Sequence, residues 1–214
     1  ASATDNCGTT AISVVESTIS GNAAGNYTVV RTFTATDDSG NETTLAQTIT
    51  VEDTTAPELT IPENFVVECS DAINLESGTA TDNCGAVTIS VSDETIAGSS
   101  IGTYLIVRTH TASDDAGNSS ASVQTITVID TTAPELSIPS DYSVECSDEI
   151  VLADATSTDN CGTSTVAIAS QTVAGNAAGN YTIVRTFTAS DDAGNTTTSI
   201  QTITVQDTTA PVLS

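Results

Sequence analysis

Acidic turns and cysteines are the residues of this chain that can do chemistry, and both recur at fixed places. TDNCG fills residues 4–8, 81–85 and 158–162; DD-x-GN begins at Asp37, Asp114 and Asp191; DTTAP begins at Asp53, Asp130 and Asp207. Asp, Asn and Gly are what tight turns use, so each block taken alone reads as a solvated turn. Carboxylate and amide oxygens are also hard ligands, of which Ca²⁺ takes six to eight. A catalytic constellation is missing. The one histidine, His110, stands where the other copies have Phe33 and Phe187, so it reads as a core or rim residue, and no enzyme activity is expected.

Composition narrows the partners. With 28 Asp plus Glu against 3 Arg, the net charge is −25, which disfavours nucleic acid and anionic membranes. No apolar run approaches the ~18 residues of a membrane span, so direct membrane insertion is not expected, and the first residues lack the features of a signal peptide. Aromatics are only 3% and Met and Trp are absent, so one large aromatic core is excluded.

The repeated blocks share one frame of 77 residues, which also relates Tyr27, Tyr104 and Tyr181, and Arg31, Arg108 and Arg185. A strict period means one folding unit copied in tandem. It predicts the end of one repeat over residues 1–54, complete repeats over 55–131 and 132–208, and the start of another at 209–214. Cys69 and Cys84 are separated by 14 intervening residues, as are Cys146 and Cys161, and the spacing predicts one disulfide inside each complete repeat. Cys7 would then have its partner upstream, in a longer array of which the chain is an excerpt. A disulfide framework requires an oxidising compartment; without nearby His, the pair is a poor zinc signal.

Within the second copy, residues 58–61, 65–69, 86–91, 104–112 and 121–128 read as strands, and residues 114–118 as a hairpin turn. Short strands without helical periodicity predict an all-β fold of tandem antiparallel immunoglobulin-like sandwiches, forming an extended rod. Each Arg shares its strand face with apolar residues, so it either needs a paired acid, for which Glu68 and Glu145 are candidates for Arg108 and Arg185, or reaches solvent at a strand end.

In such a sandwich the last hairpin faces the preceding junction. That places Asp53 with Asp114, Asp115 and Asn118, together with Asp82 and Asn83, and Asp130 with Asp191, Asp192 and Asn195, together with Asp159 and Asn160. Clustered carboxylates repel unless a cation bridges them. Ca²⁺ at the repeat junctions, with the weak affinity of extracellular modules, is set against solvated turns.

TDNCG, RTFTATDDSGN, QTITVEDTTAPEL and VECS resemble the hyalin-repeat or immunoglobulin-like modules of large Bacteroidetes surface adhesins exported by the type IX system, gliding-motility adhesins included. The resemblance covers every copy. It implies an extracellular, cell-surface filament in which repeats act as stalk or adhesive shaft, with neighbouring repeats, surface glycans or other cells as partners. Many relatives have a second bridge through a cysteine in DD-x-GN; Asp38, Asp115 and Asp192 stand there, so only one disulfide per repeat is carried over. DTT also resembles the short O-glycosylation signal of that phylum, at Thr54, Thr131 or Thr208. The alternatives are a calcium-dependent carbohydrate-binding module, for which exposed aromatics are few, and a passive spacer of a secreted enzyme.

Overall fold

The computed structural model describes residues 1–213, all of them in strands, turns or irregular segments. β1 (Thr10–Ser20), β2 (Tyr27–Asp37) and β3 (Glu42–Val51) form one antiparallel sheet in that order. The second repeat supplies β4 (Glu58–Thr60), β5 (Phe65–Glu68), β6 (Thr79–Thr81), β7 (Val87–Ala97), β8 (Tyr104–Asp114) and β9 (Ser119–Ile129). The third supplies β10 (Glu135–Ser137), β11 (Tyr142–Glu145), β12 (Thr156–Thr158), β13 (Ser164–Ala174), β14 (Tyr181–Asp191) and β15 (Thr196–Gln206). Each of these two repeats has a four-stranded sheet, ordered β5-β9-β8-β7 and β11-β15-β14-β13, and a two-stranded one, β4-β6 and β10-β12. Among the described residues no helix is long and apolar enough to cross a membrane.

This all-β architecture agrees with the expectation from strand spacing, with two differences. β5 runs parallel to β9, and β11 to β15, because the chain crosses through the short second sheet before returning to the edge. β6 and β12, three residues each, lie outside the expected strands; TAT and TST carry too little alternation to stand out. The DD-x-GN turns close β8–β9 and β14–β15 as expected. Gly117, at φ 97°, takes the left-handed position, while Asp114 Oδ1 accepts from Gly117 N (2.7 Å) and Asn118 N (2.8 Å).

By contacts the described residues fall into two compact units, one of residues 1–63, 75–93 and 108–124, the other of residues 64–74, 94–107 and 125–213. These do not follow the repeat frame. The second repeat is divided between them, so each unit contains a complete set of junction residues. In the second unit the core includes Phe187, Ala189, Ile203 and Val205, all at most 1% exposed. In the first, His110 and Ala112 are fully buried. The His110 position is therefore a core one. Its Nδ1 accepts from Gly78 N (3.3 Å), and its Nε2 has no partner among the described residues.

The arginines do lie on the buried face, at 8% exposure for Arg108 and 4% for Arg185. Their partners are not Glu68 and Glu145. Arg108 Nη1 pairs with Asp93 Oδ2 (2.8 Å), and Arg185 Nη1 donates to the Ala153 carbonyl (2.7 Å) and Gln201 Oε1 (3.1 Å). The register explains the correction. Arg185 sits mid-strand opposite Ser170 and Gln201, whereas Glu145 lies opposite Gln206, about 17 Å further along at 3.4 Å per residue. Arg31 follows the cross-strand pattern through Glu16 (2.7 Å). Ser170 occupies the Asp93 position, but Glu76 stands where the third repeat has Ala153 and Gln124 Oε1 lacks the contact that Gln201 Oε1 makes with Arg185, so Asp93→Ser removes the acid paired with Arg108 without supplying the surroundings of Arg185. Thermal denaturation should show a cost of about 1 to 3 kcal/mol for this change, because the Asp93 side chain is 39% exposed but the Arg108 side chain left behind is only 10% exposed.

Candidate metal centres and the disulfide beside them

The DTTAP, TDNCG and DD-x-GN turns meet as the strand directions require. In the first unit Asp53, Asp82 and Asp114 bring carboxylate oxygens within 4.8 Å of one another, and in the second unit Asp130, Asp159 and Asp191 do the same. Asp53 and Asp130 are nearly buried, at 9% and 8% exposure. The turns hold the acids in place. Asp82 Oδ2 accepts from Cys84 N and Asp159 Oδ2 from Cys161 N, each at 2.8 Å. Asn118 Nδ2 donates to Asp114 Oδ2 (2.9 Å) and the Asp53 carbonyl (3.2 Å), and Asn195 repeats both contacts with Asp191 and Asp130.

Two atoms set these clusters apart from turns whose polar oxygens are all paired. Asp82 Oδ1 and Asp159 Oδ1 are buried and have no hydrogen-bond partner among the described residues. An orphaned carboxylate oxygen among like charges is costly unless a cation takes it. Hard oxygens, several negative charges and no positive side chain in the cluster suit Ca²⁺, so Asp53, Asp82 and Asp114, and Asp130, Asp159 and Asp191, are the residues that would hold it. Burial pushes the Asp130 carboxyl up, and the Asp159, Asp191 and Glu68 charges add to it against the Thr132 hydrogen bond. Burial also works against the Asp114 and Asp191 carboxylates, but hydrogen bonds from Asn118 and Asn195 and their turns outweigh it and hold both low.

The remaining expected ligands have other work. Asp192 Oδ2 accepts from Thr163 N (3.2 Å) and Oγ1 (2.8 Å), as Asp38 does from Thr9, so the second Asp of DD-x-GN braces the turn after TDNCG. Asp115 lies against the equivalent turn at Gly85. Asn118 and Asn195 act as donors that orient the cluster, and Asn83 and Asn160 are exposed. Asn26 is a site residue that the motif reading does not reach: its Oδ1 accepts from Asp53 N (2.6 Å), as Asn180 does from Asp207 N (2.8 Å). The recurrence of AAGNY at residues 23–27 and 177–181 is the signal that could have found it.

The disulfide pairing differs from the expectation. Cys69 is bonded to Cys161, 92 residues away, while Cys7, Cys84 and Cys146 are free; neither Cys69–Cys84 nor Cys146–Cys161 forms. In the third repeat Cys146 N donates to the Gln206 carbonyl at the end of β15, whereas Cys161 precedes β13, whose first residue faces Asp191 near the start of β15. About ten residues of strand, roughly 34 Å, separate the two ends. The near spacing in sequence hides opposite ends of one module. Cys161 instead meets Cys69 of the preceding repeat, with Cα atoms 6.0 Å apart.

Glu68 and Glu145 belong to this place as well. Glu68 accepts from Thr131 N (2.7 Å), Thr131 Oγ1 (3.0 Å) and Thr132 Oγ1 (3.1 Å), and Glu145 binds Thr208 and Thr209 in the same way. The backbone bond from Thr131 leads in holding Glu68 low, and the Thr208 side chain does so for Glu145. The Thr131 and Thr208 hydroxyls are thus donors to carboxylates, and a sugar on either would replace that bond; Thr54 is exposed.

Among the free thiols, Cys84 is pushed up by burial and by the Asp53, Asp82 and Asp114 charges, whereas Cys7 and Cys146 are exposed. An aromatic disulfide reagent at pH 8 should therefore modify Cys7 and Cys146 first and Cys84 last, as read by peptide mass at successive times.

Residues 134–205 match the family described as HYR-like domain with 4 cysteines. This segment carries two cysteines, Cys146 and Cys161. No curated protein matches the chain. Among solved structures, Drosophila N-cadherin EC1-4 is similar at 14% identity and TM-score 0.34, over 86% of this chain and 58% of that one. Protocadherin gammaB7 EC3-6 is similar at 12% identity and TM-score 0.36, over 90% and 68%. Human CDH23 EC21-23 is similar at 14% identity and TM-score 0.34, over 82% and 73%.

Proposed function

We propose that the chain is a segment of an extracellular cell-surface adhesin, in which repeats act as a stalk or adhesive shaft and each junction is held by Ca²⁺ as well as by disulfide chemistry. The observation that carries this reading is the pair of three-aspartate clusters, each with one buried, unpartnered oxygen. The HYR-like match over residues 134–205 supports a repeat module of that kind, and the 77-residue frame extends it to the other copies. The Cys69–Cys161 bond supports an oxidising, extracellular location. The finer assignment, a type IX-exported Bacteroidetes adhesin of the gliding type, rests on the motif resemblance. Neighbouring repeats are the immediate partners, and surface glycans or other cells the more distant ones.

A calorimetric Ca²⁺ titration of the full chain tests the reading. Two sites with dissociation constants on the order of 10⁻⁴ to 10⁻³ M are expected. Absence of binding up to about 10 mM, well above that range, would remove calcium from the junctions.

A further inference from the structure

We infer that Cys146 is an open half-site for a disulfide with the TDNCG cysteine of another repeat of this type, so that two copies of the chain join head to tail through Cys146 and Cys7. The inference rests on the cysteine geometry and not on calcium.

The half-site is already built. Cys146 N donates to the Gln206 carbonyl (3.0 Å) as Cys69 N does to that of Ile129 (2.8 Å), and Asp148 N closes the following turn on Glu145 as Asp71 N does on Glu68. Glu145, Cys146 and Asp207 are gathered within 4.8 Å, as are Glu68, Cys69 and Asp130, where Cys161 completes the set.

A glycine socket shows what belongs beside it. Gly25, Gly102 and Gly179 are repeat equivalents, all with φ between 78° and 83°. A Cβ on Gly25 would stand 2.8 Å from Cys84 Cβ, and one on Gly102 would collide with the Cys161 backbone. In both, the TDNCG cysteine of the following repeat fills the socket. At Gly179 a Cβ would meet Cys146 Sγ at 3.7 Å and no TDNCG cysteine.

Cys7 is presented in the required form. Its N–H donates to Asp5 Oδ2 (2.9 Å), as those of Cys84 and Cys161 do to Asp82 and Asp159, and its thiol is exposed.

The step is thiol–disulfide exchange with a small disulfide such as oxidised glutathione. The Cys146 thiolate attacks one glutathione sulfur, the S–S bond breaks, and one glutathione thiolate leaves. The Cys7 thiolate of the second copy then attacks the Cys146 sulfur and releases the other. Two protein thiols are oxidised, one glutathione disulfide is reduced to two thiols, and their protons pass through water.

Incubation of the full chain in a glutathione redox buffer, followed by a non-reducing gel and peptide mapping, tests it. The expected result is a ladder in steps of 21.6 kDa with Cys146–Cys7 as the linking peptide. Cys146→Ser or Cys7→Ser should abolish the ladder, and Cys84→Ser should leave it. Gly179→Ala, which fills the socket and keeps both thiols, should slow ladder formation at least tenfold without changing glutathionylation of Cys146. Cys146–Cys146 links as frequent as Cys146–Cys7, Cys146 recovered only as its glutathione adduct, or a ladder indifferent to Cys7→Ser or Gly179→Ala would overturn the inference. In a chain extended by one repeat, the added TDNCG cysteine should pair with Cys146 within the chain, and the ladder link should move from Cys146 to the added VECS cysteine.

Discussion

Replacing Cys161 by serine should lower the unfolding free energy of the segment it closes by about 4 to 5 kcal/mol, the loop-closure value for a bridge spanning close to a hundred residues. The bond joins residues 92 apart, so its removal releases much more chain than a bridge inside one repeat would. Cys69→Ser should have the same effect. Cys146→Ser should have almost none, because that thiol is free and exposed. Urea denaturation followed by far-ultraviolet circular dichroism, with and without reductant, reads all three. Equal losses for Cys146→Ser and Cys161→Ser would instead place the bridge inside the repeat. The position of the bond matters to a load-carrying or protease-exposed chain: after a cut in the linker between Thr132 and Ala133, the flanking segments would still be joined through Cys69 and Cys161.

The fold was legible where periodicity is strong and local. β8 and β9, with their DD-x-GN turn, follow from alternation and a glycine requirement, and the arginine face follows from strand parity. What was not legible depends on which end of a strand a residue occupies. Cys146 and Cys161 are near in sequence and at opposite ends of the module, and Glu145 is at the junction end while Arg185 is mid-strand. A parallel edge strand creates both separations, and nothing in the VECS segments announces its direction. The acidic site was half legible. The opposition of turns is enough to bring Asp53, Asp82 and Asp114 together, but composition does not separate ligands from braces. Asp192, bonded to Thr163, and Asn118, donating to Asp53, differ from their neighbours only in geometry.

Asp159→Asn should change sign with calcium. Without the ion, the Asp159 charge is one of the causes that raise the Asp130 carboxyl, so its removal relieves repulsion and the variant should melt no lower than the parent. With the ion at a hundred times its dissociation constant, the parent gains about 2.7 kcal/mol per site, and the variant should lose most of that gain at the Asp130 site while Asp53, Asp82 and Asp114 keep theirs. Thermal unfolding in EDTA and in Ca²⁺ reads both arms. The acid dependence follows from the same charges. Because the folded Asp130 carboxyl titrates above its unfolded value of about 3.9, its ionised form costs stability at neutral pH, and that cost is relieved as pH falls through the folded value. Asp114, Asp191, Glu68 and Glu145 are held low in the fold, so their contribution is present above their unfolded values, near 4, and is lost as pH falls further. In EDTA the melting temperature should therefore pass through a maximum on the acid side of neutral before it falls. Calcium should remove the rise, since the ion and the proton relieve the same repulsion, and a maximum that persists in saturating Ca²⁺ would mean that the ion does not sit among these three carboxylates.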